Sequence, residues 1–160
     1  MDRVPTSTVQ IAILSLWLGA AAFLALAVAP ALFAVLPTRT LAGTVVGRIL
    51  PPIFYSGMVA GAIVVVLQLL ERQGWTWRGR EIAGVVIVAA CAIAQFFIAP
   101  RIARLREEIG GPLEALAVDD WRRAAFGRLH GISVAWLGLA MIAAVVGIAL
   151  AARAGSNSNQ

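Results

Sequence analysis

Ile132–Ala152 reads ISVAWLGLAMIAAVVGIALAA, 21 consecutive residues without an Asp, Glu, Lys or Arg. At about 1.5 Å of rise per residue, such a helix covers about 30 Å, the thickness of a bilayer's hydrocarbon core. Three further runs share this character, roughly Ile11–Leu36, Ile49–Leu70 and Ile82–Ala99. A helix satisfies its own backbone polar groups, as hydrocarbon requires. The four runs therefore predict an all-α, four-helix transmembrane bundle.

Composition agrees. Hydrophobic residues are 61% of the chain and charged ones 13%, against about 25% charged in a soluble domain. Nearly all the mass is membrane helix, so a single domain is expected over residues 11–153. A polar lead (1–10) precedes it and a disordered polar tail (154–160) follows. Ala27-Val28-Ala29 has the small-x-small form of a signal-peptide cleavage site. Pro30 follows at once, and the apolar run exceeds a signal core of about 7–15 residues, so a retained first helix is expected. No run carries a charge near its middle, where pumps, proton relays and voltage sensors place ionisable groups.

The formal net charge is +5, and all 13 basic residues are Arg. They flank the apolar runs, where lipid headgroups lie, so membrane lipids rather than nucleic acid are the expected partners. With four spans both termini share one side. That side holds Arg3, Arg72, Arg78, Arg80 and Arg153. The other holds Arg39, Arg48, Arg101, Arg104, Arg106, Arg122, Arg123 and Arg128. The positive-inside bias turns this second side to the cytoplasm, in keeping with a bacterial inner-membrane protein.

Local signals divide the chain further. Thr6, Ser7 and Thr8 are candidate N-caps for the first helix, and Asp119 or Asp120 for the last. Pro30 falls late in the first helix, and Pro37-Thr38-Arg39-Thr40 reads as a turn. Pro51-Pro52 marks a bend where the second helix enters the membrane. Gly74, Trp75 and Trp77 form a polar loop with interfacial anchors. Beyond Pro100, Ile102, Leu105 and Ile109 recur at helical spacing among arginines until Gly110-Gly111-Pro112. Helices three and four thus extend past the membrane as an amphipathic, Arg-rich hairpin.

Three Gly pairs have the GxxxG form: Gly43 with Gly47, Gly57 with Gly61, and Gly127 with Gly131. Such pairs let membrane helices approach closely, within one bundle or toward a second copy or partner. Arg48, Arg101, Arg106, Arg128 and His130 gather near one membrane boundary and are the candidate site for an anionic lipid or small amphiphile. The acids Glu107, Glu108, Glu114, Asp119 and Asp120 lie on the same side, so internal ion pairing is the competing expectation. Cys91 reads as a small buried hydrophobe. His130 is the only His. A haem would need Met58 or Met141 beside it, and a metal would need a ligand cluster the spacing does not offer. No cofactor, metal or catalytic constellation is expected.

Several motifs carry a family resemblance. They are Trp17-Leu18-Gly19 through Val28-Ala29-Pro30-Ala31-Leu32-Phe33, Leu41-Ala42-Gly43 through Gly47-Arg48, Phe97-Ile98-Ala99-Pro100-Arg101-Ile102, and Phe126-Gly127-Arg128-Leu129-His130-Gly131. In this order they resemble the transmembrane protein 205-like group, a domain of unknown function, over about residues 10–150. The resemblance implies a four-helix membrane domain with Pro30, Arg48, Pro100, Arg101 and His130 at motif positions. It implies no substrate or cofactor. The leading functional expectation is a non-enzymatic accessory subunit, scaffold or homo-oligomer acting through helix packing. The alternative is a binder or carrier of an anionic lipid or amphiphile. A haem or redox protein resting on His130 comes third.

Overall fold

The computed structural model describes residues 5–71 and 77–157, and four long helices make up most of it. Helix α1 runs Thr6–Val35, α2 Arg39–Glu71 and α4 Trp121–Asn157. Helix α3 comprises Trp77–Ala92, Ile93–Ile98 and Ala99–Ile109. Each is long and apolar enough to cross a membrane. The chain is a transmembrane four-helix bundle. Gly74, Trp75 and the Trp77 side chain lie outside the described residues. Helix α1 begins inside the polar lead, and α4 carries residues 154–157 in helical form.

The helices pack as a ring in which each touches the next in sequence and α4 closes on α1. All four are apolar around most of their circumference, so side-chain size, not polarity, decides which face turns inward. Ala21, Ala60, Ala90, Ala94, Ala140 and Ala144 are buried, while Leu16, Leu26, Val35 and Leu70 are 78–80% exposed on the outside of the bundle. The tightest seam joins α2 to α3. A Cβ on Gly61 would stand 2.7 Å from the Gly84 carbonyl oxygen, and one on Gly84 would stand 2.9 Å from that of Gly61. A Cβ on Gly57 would meet Cys91 Sγ at 2.7 Å and Trp17 Nε1 at 2.8 Å. The Trp17 indole donates to the Ile53 carbonyl at 3.0 Å, tying α1 to α2 inside the core. Leu14, Phe54, Val64 and Ile87 complete this close-packed half.

The other half is shaped by proline. A proline inside a helix lacks an N–H and clashes with the carbonyl four residues back. In α1 and α3 a π-helical segment precedes the Ala-Pro step. It spans Leu24–Val28 before Ala29-Pro30, and Ile93–Ile98 before Ala99-Pro100. The Ala29 and Ala99 N–H groups reach the carbonyls five residues back, Leu24 and Ala94. Helix α2 carries Pro51 and Pro52 inside one continuous helix. The first 18 residues of α1 pack on both α4 and α2, but its last seven, Ala29–Val35, pack on α2. Helices α1 and α4 therefore diverge toward the Arg-rich end.

Helix termini follow their local chemistry. Asp120 caps α4 by accepting from the Arg122 N–H at 2.9 Å, and Thr38 caps α2 by accepting from the Leu41 N–H at 3.1 Å. Gly110 adopts φ +65°, the left-handed conformation that ends α3. At α1 the cap position is Pro5, with no side-chain bond, so Thr6, Ser7 and Thr8 already lie in the helix.

Candidate functional site

The divergence of α1 from α4 leaves a cleft of about 610 Å³ at the Arg-rich end. Helix α1 contributes Phe33. Helix α2 contributes Gly43, Gly47, Leu50 and Pro51, with Arg39 and Thr40 near its start. Helix α3 contributes Gln95, Pro100, Ala103 and Arg106, and α4 contributes Phe126, His130 and Ser133. The lining is mainly apolar. Its charged or titratable members are Arg39, Arg106 and His130, and no Asp or Glu is among them.

Arg106 is the centre of this arrangement. It is half-buried, and its Nη2 donates to the Gly43 carbonyl at 3.0 Å. Its guanidinium carbon lies 5.4 Å from the centroid of the Phe126 ring, a cation–π geometry. Phe126 in turn stacks on His130, with centroids 6.5 Å apart and planes 3° from parallel. Cβ atoms on Gly43 and Gly47 would stand 3.3 and 3.2 Å from the guanidinium nitrogens. This GxxxG pair thus seats an arginine instead of a neighbouring helix. Among the described residues the ion pair within 4 Å is Arg122–Asp120, and no carboxylate pairs with Arg106. A desolvated cation in an apolar cleft without a counter-ion is costly to maintain. The cleft thus presents a half-buried cation and no acidic lining residue.

Gln95 lies on the π segment of α3. Its buried Oε1 has no hydrogen-bond partner among the described residues. Because an amide's oxygen and nitrogen exchange by a flip, this position offers the cleft either an acceptor or a donor. Ser133, 7% exposed, adds a hydroxyl from α4.

The α3–α4 connection closes the aqueous end. The Thr40 N–H and hydroxyl donate to Glu114 Oε1 and Oε2 at 3.0 and 2.6 Å, and the Leu113 N–H donates to Thr40 Oγ1 at 2.9 Å. The Thr40 hydroxyl holds the Glu114 carboxyl below its ordinary value of 4.5. The Arg122 guanidinium likewise pulls Asp120 down to about 2. A lowered folded value means that Glu114 contributes to closure above pH 4.5 and loses that contribution as pH falls through its folded value. Hydrogen exchange at the Thr40 and Leu113 amides, corrected for intrinsic rates, is expected to accelerate below pH 4.5. In Glu114→Gln it is expected to be fast already at neutral pH. Equal protection in both proteins at pH 7 would contradict this latch.

Of the five candidate ligand residues, the structure brings Arg106 and His130 to the cleft. Arg48, Arg101 and Arg128 are exposed and do not line it. Gly57 and Gly61 lie in the α1–α2–α3 seam, whereas Gly127 and Gly131 have nothing within 4 Å of a built Cβ. Met58 and Met141 pack against the buried core, and neither lines the cleft with His130. Two features escape sequence reasoning. Gly84 has no GxxxG partner, and Arg80, which reads as a loop residue, is 5% exposed inside α3, donating to Gln10 at 3.3 Å.

Residues 12–110, more than half of the chain, match the family model described as Domain of unknown function (DUF4149). The chain belongs to this family. The DUF4149 match takes in α1 from residue 12 onward and the whole of α2 and α3. Arg106 and its Gly43–Gly47 seat therefore lie inside it, while Phe126, His130 and Ser133 of α4 lie beyond. No curated protein and no solved structure matches the chain.

Proposed function

We propose that this protein is a non-catalytic membrane binding protein that holds an anionic amphiphile in the cleft around Arg106. The observation that carries the reading is a half-buried guanidinium, without a carboxylate partner among the described residues, facing a mainly apolar cleft that lacks Asp and Glu. A head with negative charge supplies the missing counter-ion, and an apolar tail matches the remaining walls. The eight-to-five distribution of arginines supports a bacterial inner-membrane location with the cleft in the cytoplasmic leaflet and both termini opposite. Kinship with the transmembrane protein 205-like group is part of the same reading, since its motif positions Pro30, Pro100 and His130 border this half of the bundle. The test is native mass spectrometry of protein released gently from its own membrane. Wild type is expected to keep a defined anionic adduct that Arg106→Gln loses. An adduct retained by both proteins would overturn the proposal.

One observation favours a second reading, an accessory subunit or homo-oligomer. Gly127 and Gly131 lie on an exposed face of α4 with no internal neighbour. Gly127→Leu and Gly131→Leu are expected to change the bundle's own stability by no more than about 0.5 kcal/mol, as for substitutions that meet nothing. Chemical unfolding in detergent measures this. Loss of a co-purifying subunit or of a higher oligomer in these variants would establish the packing role.

A further inference from the structure

The shape of the cleft restricts what the anion carries. We propose that its ligand is a single-chain amphiphile ending in a compact oxyanion, carboxylate or phosphate, whose tail leaves between α1 and α4. This inference rests on the reading of the Arg106 cleft as an anionic-amphiphile site and deepens it by naming head and tail.

Three boundaries support it. First, the space of about 610 Å³ falls within the roughly 300–1,000 Å³ typical of small-molecule sites. A compact head with the first part of one acyl chain fits there, whereas a head and both chains of a glycerophospholipid cannot be enclosed together. Second, both ends are closed. Phe54, 2% exposed, blocks the end toward the core, and the Thr40–Glu114 and Leu113–Thr40 hydrogen bonds close the aqueous end. A headgroup extended by glycerol or sugar has to break that closure. Third, Ala29–Val35 packs on α2 while the earlier part of α1 packs on both α4 and α2, which leaves the side between Phe33 and His130 for a tail in the leaflet.

The head is matched by donors. Arg106 spends one N–H on the Gly43 carbonyl and keeps others for an oxyanion, a planar fork suited to two oxygens. Gln95, eleven residues before Arg106 on α3, and Ser133 border the inner part of the cleft beyond the head, and Arg39 stands at its aqueous end.

The experiment uses full-length protein in nanodiscs of zwitterionic phosphatidylcholine, with binding read by equilibrium competition against radiolabelled oleate. The competitors are oleate, oleoyl lysophosphatidate, oleyl alcohol, dioleoylphosphatidylglycerol and inorganic phosphate. Oleate and lysophosphatidate are expected to bind at least tenfold more tightly than the other three. Arg106→Gln is expected to weaken both by about tenfold or more. Ala103→Trp, which keeps Arg106 but fills the cleft from an exposed position on its wall, is expected to abolish both. Dioleoylphosphatidylglycerol binding as tightly as oleate overturns the single-chain inference while leaving an anionic-amphiphile site. Equal binding of oleyl alcohol, equal binding of inorganic phosphate, or no binding of any amphiphile overturns the underlying reading as well. Unchanged oleate binding in Ala103→Trp moves the site elsewhere and overturns the inference.

Discussion

Gly61→Leu is expected to destabilise the bundle by about 3 kcal/mol or more, at the upper end of what overpacking costs. The reason is reciprocal backbone contact. The added Cβ would lie 2.7 Å from the Gly84 carbonyl oxygen and 2.9 Å from Val88, before the rest of the leucine is placed. A flexible side chain can turn aside, but a helix backbone cannot. Helices α2 and α3 must then separate, and the contacts of Val64, Ile87 and Cys91 loosen with them. Gly84→Leu meets the Gly61 carbonyl from the other side and is expected to behave alike. Because both variants disturb one seam, the double variant is expected to cost less than the sum of the two. Gly19→Leu is the control, since nothing lies within 4 Å of its Cβ. Equilibrium unfolding in mixed detergent reports all four. A Gly61→Leu midpoint equal to wild type would contradict the described seam.

The second large effect is expected at Arg106. Replacing it by Gln keeps a hydrogen-bonding group beside Gly43 but removes the charge. Hydrogen bonds to charged groups contribute roughly 1.5–3 kcal/mol, so affinity for an anionic amphiphile should fall about ten- to a hundredfold. Arg106→Lys separates charge from shape. It keeps the cation but loses the flat face that lies over Phe126 and the fork that spans two oxygens. Its affinity is expected to fall between wild type and Arg106→Gln. Arg48→Gln and Arg101→Gln remove exposed arginines outside the cleft lining and are expected to leave affinity within about twofold of wild type, as surface charges screened by water and salt do. Equal losses at Arg48, Arg101 and Arg106 would mean that diffuse surface charge, and not the cleft, holds the ligand.

The sequence announced the bundle because membrane helices are written in long uncharged runs, and four of them left little else to arrange. The cap at Asp120 and the stop at Gly110 were legible for the same local reason: one residue's chemistry decides each. Pairwise contact was less legible. Gly57-x-x-x-Gly61 and Gly43-x-x-x-Gly47 share a pattern, yet the first admits Trp17, Cys91 and α3 while the second admits one guanidinium. Gly84 fits no pattern because its partner sits on another helix. Spacing likewise cannot rank arginines. Arg101, Arg104 and Arg106 occupy one amphipathic stretch, but only the position facing Gly43 and Phe126 turns inward. Pro30, Pro51 and Pro100 each fall on the Arg-rich half, where they work against the close packing that Gly and Ala allow in the other.

The measurement that bears most directly on the cleft is an experimental density map of the protein extracted with its native lipid and without added amphiphile. A continuous tube of density between α1 and α4, ending within hydrogen-bonding distance of the Arg106 guanidinium, is the expected result. A cleft filled by its own side chains, with Arg106 paired to Glu107, Glu108 or Glu114, would contradict the assignment.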